Sequence, residues 1–487
     1  GEIYNVGLSD ANVSKKELCE HIQKQVPEFI FIDEQIGKDP DQRNYIVSND
    51  KIEATGFKTE FSLDRGIGEL VKGYTMIKNS KYGNIWSVTY TYDFLIIGAG
   101  IVGLSVAFEL KKRHPGSTIC ILEKEGGAGL HASGRNSGVL HSGIYYSSDT
   151  LKAKVCSEGA KMMRDFCDQY EIGIHKNGKL IIATSEGDLK ALDNLLQNAR
   201  ENKINVEELN ECEIRKIEPN ASPYKKGIYS PDTAVIDSKG VVSKLRELLE
   251  NLGVQFKFNS KVINADVDNR VVSTLNEKIG FGYLYNCAGA YSDQIARLFG
   301  LADKYTLIPF KGIYYKLRKE KKFLVNSNIY PVPDSKLPFL GVHLTKTIDG
   351  EVYVGPTAIP VFGRENYSFL NGIKPLESLK ITSELIKLYA RDKQNFRNLT
   401  HLELKKYMKS YFVLEAKKLL NQLEENDLVS TNKSGIRPQL VNLETGLLEM
   451  DYIIERNAYS THVLNSISPA FTSAFKFSEL IVNLSEN

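Results

Sequence analysis

The chain has 487 residues, too many for one compact core, so its length predicts two or three domains. Its 62 basic and 60 acidic residues nearly balance, so we expect no nucleic-acid partner. The sequence has no apolar run of about 18–20 residues, no secretory signal before the first predicted domain, and six cysteines without a C-x-x-C pair. We expect a cytoplasmic protein without a metal site, and peripheral contact with the inner face of the cytoplasmic membrane stays open.

Residues 1–80 are predicted to form a small α/β unit of their own. Helical periodicity predicts a first helix at 14–24, and the composition of 64–73 predicts a last one. Between them, an apolar run rich in Phe and Ile predicts a short strand at 27–32. The unit has no nucleotide-binding fingerprint, and residues 81–91 are predicted to be a linker.

Three motifs of this first unit carry a resemblance. They are Asp39-Pro-Asp-Gln-Arg-Asn-Tyr-Ile-Val-Ser-Asn49, Ala54-Thr-Gly-Phe57 and Ser62-Leu-Asp-Arg-Gly-Ile67. Together they resemble the C-terminal end of a nucleotide-sugar epimerase/dehydratase of the extended short-chain dehydrogenase type. The glycine-rich loop and the Tyr-x-x-x-Lys pair of that family lie upstream of such a segment. We therefore expect a leftover or fused tail that does not catalyse that chemistry, with a docking role as the alternative.

The strongest chemical signal begins after the linker. A buried-strand run at 92–97 leads into the glycine motif of residues 98–103, which is followed by a predicted helix at 104–112 and a predicted strand at 118–122. This context makes a weak motif specific for dinucleotide binding. Glu123 follows the last glycine by 20 residues, where a carboxylate accepts ribose hydroxyls.

Each glycine of the motif has its own physical role. Gly98 permits the tight turn, Gly100 lets the backbone approach a pyrophosphate, and Gly103 lets helix and strand pack closely. The helix N-terminus adds amide donors and a partial positive charge for phosphates. The predicted dinucleotide contacts of this region are Gly98, Gly100, Ile101, Val102, Gly103, Glu123 and Lys124.

The choice between NAD and FAD depends on the next segment. Residues 129–146 read Gly-Leu-His-Ala-Ser-Gly-Arg-Asn-Ser-Gly-Val-Leu-His-Ser-Gly-Ile-Tyr-Tyr. They resemble the flavin loop of the D-amino-acid-oxidase-like flavoproteins, and among these the L-2-hydroxyglutarate dehydrogenase/oxidase family most. The resemblance implies FAD as the cofactor, with small and hydrogen-bonding residues of the loop against the flavin: Ser133, Asn136, Ser137 and Gly138.

Further motifs follow in the order of the same family, so the resemblance covers residues 92–487. They lie at 285–293, 309–315, 330–334, 338–343, 354–356, 435–438 and 462–469. The resemblance implies that Ala288 and Gly289 pass near the pyrophosphate, and we expect Val262 to contact adenine. One departure is Lys311, which stands where the family usually has arginine. Lysine keeps the charge but lacks the planar fork that pairs with a carboxylate.

The resemblance implies an α/β fold with two domains after the linker. A discontinuous Rossmann-like FAD-binding domain is expected to comprise 92–185, 232–308 and 430–487. A substrate domain with a mixed or antiparallel sheet is expected to comprise 186–231 and 309–429.

Histidines and cations inside the matched motifs are the candidate catalytic residues. A histidine titrates near neutrality and can accept a hydroxyl proton, and His141 is our first choice of base, before His343 and His462. Arg437 is the best carboxylate anchor, because a guanidinium can hold a carboxylate with two parallel hydrogen bonds. Lys311 and Arg135 are secondary anchors.

The predicted function is FAD-dependent oxidation of a small 2-hydroxy dicarboxylate, L-2-hydroxyglutarate by resemblance, by hydride transfer to flavin N5. A quinone, a carrier protein or oxygen would take the electrons afterwards. The alternatives are an amine or amino-acid oxidase of the glycine or sarcosine oxidase kind, an oxidoreductase of nucleotide-sugar metabolism, and a non-catalytic flavoprotein.

Overall fold

The structure is a computed structural model that describes residues 2–27, 29–31, 46–76, 88–334, 339–368 and 372–486. The chain divides into two compact units, residues 1–89 and residues 90–487. The α-helices of the described residues are α1 Lys15–Gln25, α2 Asp50–Glu53, α3 Leu63–Met76, α4 Ile101–Arg113, α5 Leu151–Gln169, α6 Leu189–Glu201, α7 Glu211–Ile217, α8 Ser238–Asn251, α9 Ser292–Arg297, α10 Pro375–Arg391, α11 Phe396–Lys405, α12 Lys409–Lys417 and α13 Ala474–Glu486. None of these helices is long and apolar enough to cross a membrane.

The strands lie, apart from the first residues of β1, in the second unit. In chain order they are β1 Val88–Ile97, β2 Ile119–Leu122, β3 Val139–Leu140, β4 Ile174–His175, β5 Lys179–Ile182, β6 Glu207–Asn210, β7 Lys226–Ser230, β8 Ala234–Ile236, β9 Gln255–Lys257, β10 Asn264–Asp266, β11 Val271–Ser273, β12 Lys278–Asn286, β13 Tyr305–Leu317, β14 Asn328–Pro331, β15 His343–Lys346, β16 Val352–Gly355, β17 Ile359–Pro360, β18 Leu428–Asn442, β19 Leu447–Leu448, β20 Ile454–Arg456 and β21 Ser460–Val463. They form an eight-stranded sheet, a ten-stranded sheet and a small three-stranded sheet.

The first unit contains the two long helices that the sequence predicts. Ser14 caps α1 with a reciprocal capping box to Glu17, and His21 Nδ1 lies 2.6 Å from Asp64 Oδ1 of α3. The predicted strand at 27–32 is wrong for its described residues 29–31, because the chain turns there and the amide of residue 29 donates to the Val26 carbonyl. Apart from the first two residues of β1, the regular secondary structure of the described residues of this unit is helical.

The eight-stranded sheet has the topology that the glycine motif predicts. Its central order is β10-β11-β12-β1-β2-β9, and β1, β2 and β9 are parallel neighbours. Helix α4 connects β1 to β2 and packs on α13, because Val106, Leu110, Phe477 and Ile481 share one buried core cluster. The predicted strand–turn–helix–strand unit is confirmed, with the glycine turn at the carboxyl end of β1.

The ten-stranded sheet is mixed and mostly antiparallel. Its order is β19-β18-β13-β16-β15-β14-β5-β7-β6, with β17 beside β13, and only the β14–β5 pairing among its described ladders is parallel. Strands β13 and β18 pair over their whole length, from Tyr305–Asn442 to Leu317–Leu428. Residues of β13 and β18 line one cavity together with the glycine turn.

Two of the predicted domain boundaries differ from the division of the strands between the two large sheets. Strand β5 belongs to the ten-stranded sheet, although it falls within the predicted FAD segment 92–185. Strands β18 and β19 also join that sheet, although most of both falls within the predicted segment 430–487. A short buried run such as β5 predicts a strand but not the sheet that the strand joins. The division into an FAD-binding domain and a substrate domain stays a proposal.

Candidate active site

A cavity of about 620 Å³ runs through the second unit from the glycine turn to the face of the ten-stranded sheet. At one end it is lined by the turn between β1 and α4 and by Glu123. At the other end it is lined by Phe310, Gly312 and Tyr314 of β13 and by residues 435–438 of β18. The cavity therefore connects a dinucleotide site with a second, chemically different pocket.

The glycine turn leaves the space that a pyrophosphate requires. Gly98 has φ +104°, and a Cβ there would lie 2.5 Å from the Cys287 carbonyl oxygen. A Cβ on Gly103 would overlap the Gly98 carbonyl oxygen, so this glycine serves helix–strand packing and does not line the cavity. Gly100 does line it, and a Cβ there would meet only Ser133 Oγ, at 3.2 Å. The turn therefore fits the approach of a pyrophosphate at the N-terminus of α4.

Glu123 is held in place by the backbone around it. Its Oε2 accepts a hydrogen bond from the Ala99 amide at 2.8 Å, and its Oε1 accepts one from the Glu125 amide at 2.9 Å. Each carboxylate oxygen has a second lone pair that can accept a hydroxyl, and Glu123 lines the cavity. Val262, Ala288 and the other predicted contacts Ile101, Val102 and Gly289 also line this end.

The predicted flavin loop is partly cavity wall and partly internal scaffold. Ser133, Asn136 and Ser137 line the cavity. The Asn136 amide donates to the Ser133 carbonyl at 2.8 Å, and its Oδ1 accepts from the Gly138 amide at 2.8 Å, so this side chain holds the loop in shape. Gly138 itself, with φ +77°, packs against the Ile236 carbonyl outside the cavity.

Residues 364–367, which the sequence analysis missed, contribute Arg364 and Tyr367 to the lining of the cavity. Glu365 Oε1 lies 2.5 Å from Lys124 Nζ and accepts from the Tyr291 hydroxyl at 2.7 Å. Arg364 forms a buried ion pair with Asp293, with Nη2 2.9 Å from Oδ2. No motif marks this segment, because its function comes from long-range pairs.

Contacts with residues 364–367 also explain where Lys124 and Arg135 lie. Lys124 Nζ is within hydrogen-bond distance of Glu125, His131 and Glu365, so an ammonium already sits at this group of potential metal ligands. Arg135 donates to a backbone carbonyl of the loop and its guanidinium lies 4.1 Å from the centroid of the Tyr367 ring. Arg135 also lines the cavity, so its role as a secondary anchor stays a prediction.

The pocket at the other end brings together His141, His343 and Arg437. Burial lowers the pKa of His141 to about 3, with further lowering by Lys179, His343 and Arg437. Burial also lowers the pKa of His343 to about 4, and the His343 ring stacks on Tyr330 with centroids 3.9 Å apart. Both imidazoles are therefore neutral at neutral pH and able to accept a proton.

Arg437 has no counter-ion in the part of the chain that the structure describes. Its guanidinium lies 5.1 Å from the centroid of the Phe339 ring, and none of the described residues forms a salt bridge or hydrogen bond with it. Burial lowers its pKa from the usual range, yet an arginine stays protonated. A cationic fork without a partner at a cavity wall is suited to bind a carboxylate.

Two predicted catalytic residues do not line the cavity. His462 lies in β21, where its ring nitrogens are 3.1 Å from Asn286 Nδ2 and 2.8 Å from Ser460 Oγ, so it is a buried structural residue. Lys311 lies between Phe310 and Gly312, and side chains of a strand alternate between its faces, so Lys311 points away from the cavity. The sequence motifs include both residues but do not predict the direction in which their side chains point.

Comparison with known proteins agrees with this site. Residues 93–483 match the family model of the FAD dependent oxidoreductases (DAO). In structure, the chain is similar to the FAD-bound L-alpha-glycerophosphate oxidase of Mycoplasma pneumoniae, with TM-score 0.65, 23% identity and coverage of 82% of this chain and 95% of that one. It is also similar to glycine oxidase of Geobacillus kaustophilus, with TM-score 0.61, 17% identity and coverage of 82% and 95%. Fold and site therefore define an FAD-dependent oxidoreductase.

Sequence relatives give the narrower family. The chain is 35% identical to the L-2-hydroxyglutarate dehydrogenase of Indibacter alkaliphilus over 395 residues, 79% of this chain and 96% of that protein. It is 34% identical to the Escherichia coli K12 enzyme of that name, with coverage of 80% and 92%, and 33% identical to the mitochondrial one of Homo sapiens, with coverage of 81% and 89%. The chain belongs to the L-2-hydroxyglutarate dehydrogenase family of FAD-dependent oxidoreductases, and FAD is its cofactor. The resemblance of residues 1–80 to an epimerase or dehydratase stays a prediction.

Proposed function

We propose that the protein oxidises L-2-hydroxyglutarate to 2-oxoglutarate. The observation that carries the proposal is the pairing of a neutral histidine, His141, with an arginine that lacks a protein counter-ion, Arg437, in one pocket beside the dinucleotide site. Such a pair provides a proton acceptor and a carboxylate anchor, which a 2-hydroxy acid needs. The names of the sequence relatives support the same substrate.

The residues of this chain divide the chemistry between them. Oxidation removes a hydride from C2 and a proton from the hydroxyl group, and the C–O single bond becomes a carbonyl. FAD, when bound, supplies the hydride acceptor. Arg437 binds a carboxylate and so orients the substrate, while His141 accepts the hydroxyl proton. The apolar ring of Phe339 and the rings of Tyr314 and Tyr330 line the pocket.

An anaerobic substrate screen on the purified holoprotein tests the proposal. Loss of the flavin absorbance on addition of L-2-hydroxyglutarate is the expected result, with D-2-hydroxyglutarate as the control that leaves the flavin oxidised. Bleaching by glycine, sarcosine or other amino acids alone would instead establish the amine oxidase alternative. Bleaching by none of these compounds would contradict the proposed activity.

Arg437→Lys is expected to weaken substrate binding far more than FAD binding. Lysine keeps the charge but loses the second parallel hydrogen bond, which costs about 1.5–3 kcal/mol with a charged partner. The concentration of L-2-hydroxyglutarate for half-maximal flavin reduction should rise about 10- to 100-fold. Rapid-mixing flavin reduction measures this shift. An unchanged half-saturation point with loss of bound FAD would make Arg437 a cofactor residue.

We further propose that the electron acceptor is reached at a membrane surface, which singles out a quinone among the three predicted acceptors. Residues 375–417, which comprise α10–α12 and their connections, carry nine basic against five acidic residues, an excess that favours an anionic lipid surface. They also expose large apolar side chains along or beside α10 and α12: Leu376, Leu379, Ile386, Met408 and Leu414. Basic charge next to exposed apolar residues is typical of peripheral membrane contact.

Co-sedimentation with lipid vesicles tests this membrane contact. The protein should sediment with vesicles that contain phosphatidylserine. It should sediment less with vesicles of phosphatidylcholine alone, because these have no net negative charge to attract the basic residues. The triple substitution Leu376→Ser, Leu379→Ser, Ile386→Ser should abolish sedimentation without loss of FAD. Equal sedimentation of the triple variant would contradict the assignment of this surface. A wild-type protein that sediments with neither kind of vesicle would contradict the membrane contact and leave a cytoplasmic protein with a soluble acceptor.

A further inference from the structure

A buried lysine lies directly behind the wall of the pocket, and the chemistry above does not use it. Lys179 of β5 has 0% exposure. Its Nζ lies 4.6 Å from the ring centroid of Tyr145 and 5.4 Å from that of Tyr330. Tyr330 lines the cavity and stacks on His343. The ammonium is therefore separated from the pocket by a single aromatic ring.

Lys179 is in an environment that does not neutralise it. Its Nζ has no hydrogen-bond partner among the described residues, and neither have three other buried polar atoms of the flavin loop, His141 Nδ1, Ser142 Oγ and Tyr145 OH. The faces of the two tyrosine rings compensate the charge only in part. A buried lysine without a carboxylate costs stability, and an apolar residue of similar volume would be as stable or more stable. Packing therefore does not explain this residue.

The charge of Lys179 reaches the same pocket as that of Arg437. Both groups contribute to lowering the pKa of His141, so both fields act on one imidazole. Among the described residues that line the cavity, the acidic one is Glu123, at the opposite, ribose end. The pocket at the His141 end thus has two cations and no anion. Such a pocket is complementary to a substrate with two negative charges.

We propose that Lys179 is a specificity-determining residue that, with Arg437, adapts the pocket to a 2-hydroxy dicarboxylate. Arg437 in the cavity wall binds one carboxylate, and the field of Lys179 acts through the aromatic wall on the other. In the low-dielectric interior the field of a charge is stronger and is screened little, so direct contact is not needed. This inference rests on the proposed function and names the feature that separates dicarboxylates from monocarboxylates of equal length.

The variant Lys179→Met tests the inference, because methionine fills the space without the charge. For the holoenzyme, kcat/KM with L-2-hydroxyglutarate should fall about 10-fold or more, mainly through KM. With L-2-hydroxyvalerate, which has the same chain length and one carboxylate, kcat/KM should change less than about 2-fold. The melting temperature should stay equal or rise, because a buried unpaired charge is removed.

A matched control uses another lysine of the same sheet. Lys226 of β7 forms ion pairs with Asp193 and Glu208 at the surface, and Lys226→Met should leave the preference between the two acids unchanged. If Lys179→Met yields no holoenzyme, Lys179→Gln is measured with the same two acids. An equal loss with both acids, or no loss with either, would overturn the role of Lys179.

The same assay separates failure of the inference from failure of the proposed function. A wild-type protein that reduces its flavin with neither acid refutes the proposed activity. A wild-type protein that prefers L-2-hydroxyvalerate refutes the dicarboxylate preference, whatever Lys179 does. A wild-type preference for L-2-hydroxyglutarate that is undiminished in Lys179→Met refutes the inference alone.

Discussion

Gly100→Val should give a folded protein that no longer binds FAD. The backbone of Gly100 has an ordinary conformation, with φ −80° and ψ 175°, so valine can adopt it. An ideal Cβ would meet only the flexible Ser133 hydroxyl at 3.2 Å, so the fold should tolerate the substitution. The two methyl groups would, however, occupy the cavity at the N-terminus of α4, where the pyrophosphate approaches the backbone.

The expected effect is a loss of FAD affinity of at least about 100-fold, or about 3 kcal/mol. The ratio of flavin to protein absorbance after gel filtration measures it, and far-ultraviolet circular dichroism checks the fold. Gly116→Val is a matched control, because a Cβ there meets nothing within 4 Å. Gly103→Val should instead prevent folding, since its Cβ would overlap the Gly98 carbonyl. A yellow Gly100→Val protein would mean that the pyrophosphate does not lie against this turn.

The sequence predicts this turn because most of its constraints are local. Gly98, Gly100 and Gly103 lie within six residues. Gly103 is required by its contact with Gly98, and Gly100 leaves space for the pyrophosphate, while Gly98 also meets the distant Cys287. Glu123 is likewise positioned by the end of β2 and two backbone amides. Local geometry of this kind follows from residue types and spacing, so the fold class and the family could be predicted from the sequence.

Other parts of the site depend on contacts between residues far apart in the chain, which local sequence patterns do not predict. Arg364 and Glu365 reach residues more than 70 positions away, and no spacing rule predicts such pairs. Lys179 has no motif of its own either, because only the three-dimensional pairing of β5 with β14 brings it behind Tyr330. Lys311 shows the opposite case, a matched motif whose side chain lies on the other face of its strand.

His141→Ala should slow flavin reduction by about 10²- to 10⁴-fold, the usual contribution of a general base. The substitution removes the proton acceptor and leaves Arg437 in place, so the substrate concentration for half-maximal reduction should change little. FAD content should also be kept, because His141 lies at the end of the cavity away from the glycine turn. Rapid mixing of the holoenzyme with L-2-hydroxyglutarate measures both quantities in one experiment.

Two matched variants separate His141 from the other histidines. His343 Nδ1 lies 2.9 Å from the Gly341 carbonyl oxygen, which can only accept a hydrogen bond. Nδ1 therefore donates and carries the proton, and only Nε2 remains as a proton acceptor. His343→Ala should therefore lose stacking on Tyr330 and cost less in rate than His141→Ala. His401, which is bonded to the Tyr389 hydroxyl on α10, is the control, and His401→Ala should leave the reduction rate unchanged.

The pH dependence provides a further test of His141. Because burial and the surrounding cations lower its pKa to about 3, the imidazole is neutral in the free enzyme well below neutral pH. A base must be unprotonated to act, so kcat/KM should not fall between neutral pH and moderately acidic pH on account of His141. Exogenous imidazole should partly restore reduction in His141→Ala, since the deleted ring leaves space in the cavity. If His343→Ala were the slower variant and imidazole restored that one instead, His343 would be the base.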